Sequence, residues 1–177
     1  MPIVPLMKGI ATFVPGVGRL ANRGAGGPAS ARYCYSVWLR HLVMAHKSGL
    51  STQADVVAEL GPGDSLGVGL AALLSGASQY FALDVKEHAS DHRNVEVFDE
   101  LVNLFARQDN IPDEIEFPNV KPYLESYEFP DHVLTQSRLQ QTLDEGRIAS
   151  IRDSLSRLGS DRQPNSHIAY VSDWDDS

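Results

Sequence analysis

The sequence predicts an α/β fold built on a parallel sheet, and three observations lead to that prediction. Two short apolar runs, residues 55–60 and 80–85, are separated by a glycine-rich turn and a small-residue helix, which is the order of a βαβ unit. A third apolar run, HIAYV at residues 167–171, follows a long polar stretch. Short runs that are apolar throughout are typical of strands that a parallel sheet buries on both faces.

Length and composition indicate one globular domain. The chain has 177 residues, of which 42% are hydrophobic and 21% charged, enough to bury a core. Its net charge of −8 argues against a general electrostatic grip on nucleic acid. The single cysteine, Cys34, excludes an internal disulfide and a thiolate zinc cluster. Its neighbours, RYCYSVWL, predict a small buried residue rather than a nucleophile.

Residues 1–30 are predicted to be an arm outside the main domain, which we place at residues 31–177. The opening MPIVPLMKGIATFVP is apolar but contains prolines and a lysine, and it lacks the order of a signal peptide. We expect it to dock on the domain. The following ANRGAGGPAS is predicted to be a flexible loop. No run reaches the ~18 apolar residues of a spanning helix, so a cytoplasmic protein is expected.

The first three helices are predicted from the spacing of their apolar residues and, for two of them, from the glycine that follows. Residues 31–48 predict a helix that Gly49 ends, and residues 66–75 predict a small-residue helix that packs closely on the sheet and stops at Gly76. The apolar positions of the first are Tyr33, Val37, Leu42 and Ala45. A strongly amphipathic helix is predicted over residues 94–107. Its apolar side is Val97, Leu101, Leu104 and Phe105.

The stretch before the third strand is predicted to be an insertion, at about residues 109–157. Prolines and acids dominate residues 109–131, which indicates an irregular loop, and residues 161–165 predict a turn. Residues 135–158 predict one or two helices. Their expected buried stripe is Leu139, Leu143, Ile148, Ile151, Leu155 and Leu158.

The glycine turn after the first strand is the strongest functional signal. Gly61, Gly63 and Gly67 are spaced G-x-G-x-x-x-G, which lets backbone take tight angles and lets a ligand approach. The spacing is wider than the G-x-G-x-x-G of dinucleotide sites. A P-loop is excluded because no lysine lies between Lys47 and Lys86.

Two acids narrow the ligand class. Asp84 ends the second strand and follows Gly63 by 21 residues, a spacing that suits hydrogen bonds to the two hydroxyls of a ribose. Glu59 precedes the turn, where its charge disfavours a pyrophosphate and favours a ligand that carries a cationic amine. A purely structural turn, with Asp64 or Ser65 capping the helix, is the alternative.

The segment ELGPGDSLG at residues 59–67, with LDV at 83–85, resembles two motifs of the class I S-adenosylmethionine-dependent methyltransferases. The resemblance implies a Rossmann-like, three-layer α/β/α domain that binds S-adenosyl-L-methionine and transfers its methyl group to a small-molecule or glycan-like acceptor. By motif position, residues Glu59, Gly61, Pro62, Gly63 and Asp64 would line the amino-acid part of the cofactor. Asp84 would bind the ribose, Val85 would pack on adenine, and Asp173, followed by Trp174, would accept the adenine amino group.

Other candidates are weaker. One residue among Arg32, Tyr33 and Tyr35 is a candidate partner for the cofactor carboxylate. His88 and His92 share the i, i+4 spacing of metal ligands, but Lys86 and Arg93 adjoin them and no third ligand is near. No metal site and no catalytic base are predicted.

The chain departs from the family pattern in two ways. The insertion is expected to roof the substrate site. The sheet stops at strand three, so the sequence predicts a fold that is incomplete at its C-terminus, with the first strand at an exposed edge. Pairing of two copies through that edge would protect it. Two alternatives stay open, a truncated or degenerate fold that serves as a non-catalytic binding or assembly module, and an NAD(P)-dependent oxidoreductase sharing the βαβ unit.

Overall fold

The computed structural model describes residues 30–84, 91–158 and 166–172, and it confirms the α/β class. Its elements are α1 Ala31–Lys47, β1 Val56–Leu60, α2 Gly67–Leu74, β2 Gln79–Asp84, α3 Asp91–Arg107, α4 Gln136–Thr142, α5 Glu145–Ser156 and β3 Ile168–Ser172. Every helix and strand predicted from the sequence is present. The predicted turn at residues 161–165 lies outside the described residues.

The three strands form a parallel sheet in the order β1-β2-β3. In this register Glu59 of β1 lies beside Ala82 of β2, and Asp84 of β2 lies beside Ser172 of β3. β1 is the edge strand of the described sheet, as expected. The prediction that it is buried on both faces is wrong, because Val56 is 50% and Leu60 71% exposed.

The described helices cover one face of the sheet. Tyr80, Ala82 and Asp84 are buried beneath them, and Val57 and Tyr170 pack against the same core. The residues that alternate with these on each strand point to the other face. The described residues therefore form two layers, and the third layer of the expected α/β/α arrangement is not seen among them.

The core lies where α1, α2 and α3 meet. The predicted stripe of α3, Val97, Leu101, Leu104 and Phe105, is buried, and Gly76 follows α2 with a φ of +116° as a stop signal should. On α1 the predicted stripe is mostly wrong, because of its four residues only Leu42 is fully buried. The buried side instead includes Ser36 and Arg40. These two polar side chains are buried because they hydrogen-bond backbone carbonyls of the loop at 109–131.

The insertion consists of an irregular loop and two helices, as predicted. Leu139, Ile151 and Leu155 of its stripe are buried, and Leu143, Ile148 and Leu158 pack partly against the core. Arg138 donates to the carbonyls of Ser75 at 2.8 Å and Thr52 at 2.6 Å. Arg147 donates to those of Leu73 at 2.9 Å and Ala77 at 2.6 Å.

These carbonyls belong to the C-terminal end of α2 and to the segments that lead into the strands. They lie at the amino edge of the sheet, whereas the glycine turn lies at the carboxyl edge. The expectation that the insertion roofs the site is therefore wrong for α4 and α5. Within the described ranges, no helix is long and apolar enough to cross a membrane.

Candidate functional site at the carboxyl edge of the sheet

The glycine turn links the end of β1 to the start of α2. Gly61 and Gly63 have φ values of +66° and +70°, and an added Cβ at either position would meet no atom within 4 Å. The backbone angle thus requires glycine at both positions, while the space beside them is open. The N–H of Gly61 donates to the carbonyl of Leu83 at 2.8 Å, which fixes the start of the turn against β2. Pro62 is buried and Asp64 is exposed.

Glu59 is a half-buried carboxyl group beneath the turn. Its Oε2 accepts a hydrogen bond of 2.6 Å from the Tyr80 hydroxyl, and the Gly69 N–H also donates to it. Burial raises the pKa of Glu59, and these two hydrogen bonds oppose that change. Burial, together with the Glu59 charge, also raises the pKa of Tyr80, so its hydroxyl remains a donor. Glu59 is therefore held in place with partial access to solvent.

Asp84 lies at the same edge of the sheet. It ends β2, is 6% exposed, and directly follows Leu83, whose carbonyl holds Gly61. Because the strands are parallel, the carboxyl ends of β1 and β2 meet at one edge, and the structure brings Glu59, the turn and Asp84 together there. Val85, Asp173 and Trp174 lie outside the described residues.

The start of α2 is held by Asn94, a residue that the sequence pattern did not single out. Leu66 is the N-cap residue, and its N–H donates at 2.9 Å to Oδ1 of Asn94, a fully buried residue of α3. Asp64 is exposed, and Ser65 Oγ accepts a longer bond of 3.3 Å from the Gly67 N–H. The one available signal was a polar residue on the buried side of an amphipathic helix. Because Oδ1 must face the donor, Nδ2 faces away, and it is buried without a hydrogen-bond partner in the described part of the chain.

We expect Asn94→Leu to destabilise the chain by about 1–3 kcal/mol, because it leaves the buried Leu66 N–H without an acceptor. Asn94→Asp keeps an oxygen for Leu66, and the helix N-terminus offsets part of the cost of burying its charge, so it should lose less stability than Asn94→Leu. Urea unfolding followed by circular dichroism measures both. An equal loss in the two variants would show that the hydrogen bond to Leu66 is not what Asn94 contributes.

The three candidate residues of α1 differ in the contacts that their side chains already make with the insertion. Arg32 donates from Nε and Nη2 to the two oxygens of the Glu116 carboxylate, both at 2.7 Å. The Tyr35 hydroxyl donates to the Asp109 carbonyl at 2.7 Å. Tyr33 packs edge-on against Phe117 with ring centroids 5.5 Å apart. Burial raises the pKa of Tyr33, and the negative charge of Glu59 adds to the rise. Of the three candidates, Tyr33 is the one whose pKa the Glu59 charge affects.

Cys34 is buried, as predicted. It is 1% exposed, and its Sγ lies 3.8 Å from Ser65 Oγ. Burial raises the pKa of the thiol to about 12, so almost no thiolate exists at neutral pH. Its role is to pack α1 against the start of α2, where a Cβ on Gly67 would come within 2.4 Å of the sulfur.

A cleft lies at the opposite, amino edge of the sheet. It has a volume of about 710 Å³, and among its lining residues are His46, Asp55, His132 and Arg138. The charged residues here are already engaged, since Asp55 accepts from Ser78 and Arg138 holds two carbonyls. The two histidine rings pack edge-on at 5.1 Å. This cleft is separate from the glycine turn.

Metal ligands do not cluster in the described residues, where no group of three His, Cys, Asp or Glu side chains is suited to hold an ion. His88 and the side chain of His92 lie outside them. Comparison with known proteins gives no match, since no family profile, curated protein or solved structure is significantly similar to the chain.

Proposed function

We propose that this chain binds S-adenosyl-L-methionine at the glycine turn and is the cofactor-binding part of a methyltransferase for a small-molecule or glycan-like acceptor. One observation carries the proposal. Two carboxyl groups, Glu59 and Asp84, lie near the carboxyl ends of neighbouring parallel strands, beside a turn whose glycines leave open space. A ligand with an ammonium group and a ribose fits that pair, and the resemblance of ELGPGDSLG to a methyltransferase motif selects this ligand among others.

The residues would divide the binding between them. Glu59 would pair with the ammonium group, and Asp84 would accept hydrogen bonds from the ribose hydroxyls. Gly61 and Gly63 would let the ligand approach the backbone. The sulfonium of the cofactor already activates the methyl group, so the protein needs to orient the acceptor and exclude water rather than supply an acid or a base.

Asp84→Asn and Glu59→Gln should each weaken binding of the cofactor about 10- to 100-fold, the worth of a charge-assisted hydrogen bond. Isothermal titration calorimetry gives the dissociation constants. Asp55→Asn, at the other end of β1 from Glu59, is the matched control and should bind like the wild type. Equal affinity in all four proteins would remove both carboxyl groups from the site.

The pH dependence of binding tests Glu59 separately. Its raised pKa means that the folded chain holds this proton more tightly than the unfolded chain, so the stabilisation from protonated Glu59 is present at low pH and is lost as the pH rises through the raised pKa. An ammonium group requires the ionised form. Affinity should therefore fall as the pH is lowered through that pKa, and Glu59→Gln should abolish this dependence.

A non-catalytic binding or assembly module is the second candidate, and the exposed edge of β1 favours it. Among the described residues β1 has a partner strand on one side only, and an unpaired strand edge invites pairing with a second copy. Sedimentation velocity at several concentrations tests such a homodimer. A concentration-dependent dimer without methyl transfer would support the module over the enzyme. No structural observation favours the third alternative, an NAD(P)-dependent oxidoreductase.

A further inference from the structure

The face of the sheet that lies opposite the helices is apolar. The strand register aligns its side chains in rows across the sheet. One row consists of Ala58, Phe81 and Ala169, and the next consists of Leu60, Leu83 and Val171. Val56 and the polar Gln79 stand at the amino end. We call these eight residues the open face.

No helix of the described residues covers the open face. None of its apolar members belongs to the core or packs against it, and Phe81, Leu83, Ala169 and Val171 are only half-buried. Parallel sheets are almost always covered on both faces, and a contiguous apolar patch of this kind marks a surface that another segment or molecule occupies.

The segment that precedes the described residues has the composition to occupy it. Residues 1–20 contain a series of apolar side chains, namely Ile3, Val4, Leu6, Met7, Ile10, Phe13, Val14, Val17 and Leu20. The ten residues 21–30 join this segment to α1. At full extension ten residues span about 35 Å, whereas a strand of five or six residues is about 17–20 Å long.

The attachment point is also suitable. The first turn of α1 lies at the carboxyl edge of the sheet, because Cys34 contacts Ser65 beside the glycine turn. From there residues 21–30 can bring the segment to any part of the open face.

Charge selects this segment over a second copy of the domain. Lys8 and Arg19 in the segment and Arg23 in the connection to α1 are positive, and the first acidic residue of the chain is Asp55. The chain as a whole carries −8, so the domain without these residues is still more negative. Two such domains repel one another, whereas the basic segment is attracted to its own domain.

We propose that residues 1–20 fold back across the open face of the sheet and form its second cover within the same chain. This inference is independent of the cofactor. It assigns the segment a structural role and the open face a specific occupant.

A photo-crosslinker tests the proposal in the full chain. Benzoylphenylalanine replaces Phe13, and mass spectrometry maps the crosslinked peptides after irradiation. Crosslinks within one chain to the peptides of β1, β2 or β3 are expected. The control places the same group at Ile115, which is 90% exposed on the loop of the insertion, and should give no such crosslinks. Crosslinks from position 13 only to helical peptides, or none at all, overturn the proposal.

A mixture of isotopically light and heavy chains distinguishes a cover from the same chain from a cover supplied by a second copy. Mixed-mass crosslinks between chains would mean that a second copy supplies the segment, which contradicts an intramolecular cover. Deletion of residues 2–20 should increase binding of the dye anilinonaphthalene sulfonate several-fold while circular dichroism retains the native spectrum. A folded deletion variant with unchanged dye binding also contradicts the proposal. If the deletion variant unfolds, the crosslinks in the full chain decide.

Discussion

Replacing Gly69 by alanine is expected to destabilise the chain by about 3 kcal/mol, the upper range for an overpacked core. A Cβ at this position would lie 2.1 Å from ring atoms of Tyr80, a fully buried residue at the contact between α2 and β2. Neither the α2 backbone nor the ring has room to move without opening the core. Because the Tyr80 hydroxyl also holds Glu59, the substitution should weaken the ligand site as well.

Gly146→Ala is the control for that substitution. Gly146 is exposed in α5 and has no positive φ. A Cβ there would lie 3.1 Å from Oδ1 of Asp144, the exposed N-cap residue, so alanine should change the stability by less than about 1 kcal/mol in either direction. Urea unfolding measures both variants. The double variant Gly69→Ala/Tyr80→Leu should lose less than the sum of its two single changes, because the smaller side chain relieves the contact. A Gly69→Ala protein as stable as the wild type would contradict the packing of α2 on β2.

Arg40→Leu is expected to cost about 3 kcal/mol and to release the irregular loop of the insertion. The guanidinium group is fully buried and donates to the carbonyl of Val120, to that of Pro112 at 2.7 Å, and to Ser36 Oγ at 3.0 Å. The guanidinium carbon of Arg40, Cζ, lies 5.0 Å from the centroid of the Tyr127 ring. Removing it leaves two buried carbonyls unpaired, at about 1–3 kcal/mol each.

Two controls separate the hydrogen bonds of Arg40 from its charge. Arg40→Lys keeps the charge but cannot span both carbonyls, so an intermediate loss is expected. Arg32→Ala removes an exposed ion pair to the same loop and should cost less than about 1 kcal/mol. Urea unfolding gives the stabilities, and limited proteolysis within residues 109–131 reports release of the loop. Equal behaviour of Arg40→Leu and Arg32→Ala would show that Arg40 does not anchor the loop.

Local signals account for most of the fold that could be predicted from the sequence. Apolar runs and glycine stops located the strands and helices to within a few residues, because these signals act between near neighbours in the chain. The meeting of Glu59 and Asp84 was also predictable, since consecutive parallel strands end at the same edge.

Features that depend on distant contacts could not be predicted. Arg40 is buried because carbonyls about 70 to 80 residues later face it. Asn94 accepts from the N–H of Leu66, which lies 28 residues earlier at the start of α2. Arg138 and Arg147 fix α4 and α5 at the amino edge through carbonyls more than 60 residues away. No local pattern specifies such partners, and the exposure of β1 likewise depends on what lies beside it.

Calorimetric titration of the 177-residue chain with S-adenosyl-L-methionine, alongside NADH, tests the central claim most directly. Our account predicts one site of micromolar affinity for S-adenosyl-L-methionine and no saturable binding of NADH. A chain that circular dichroism shows to be folded, and that binds NADH or neither ligand, would contradict the assignment of the glycine turn.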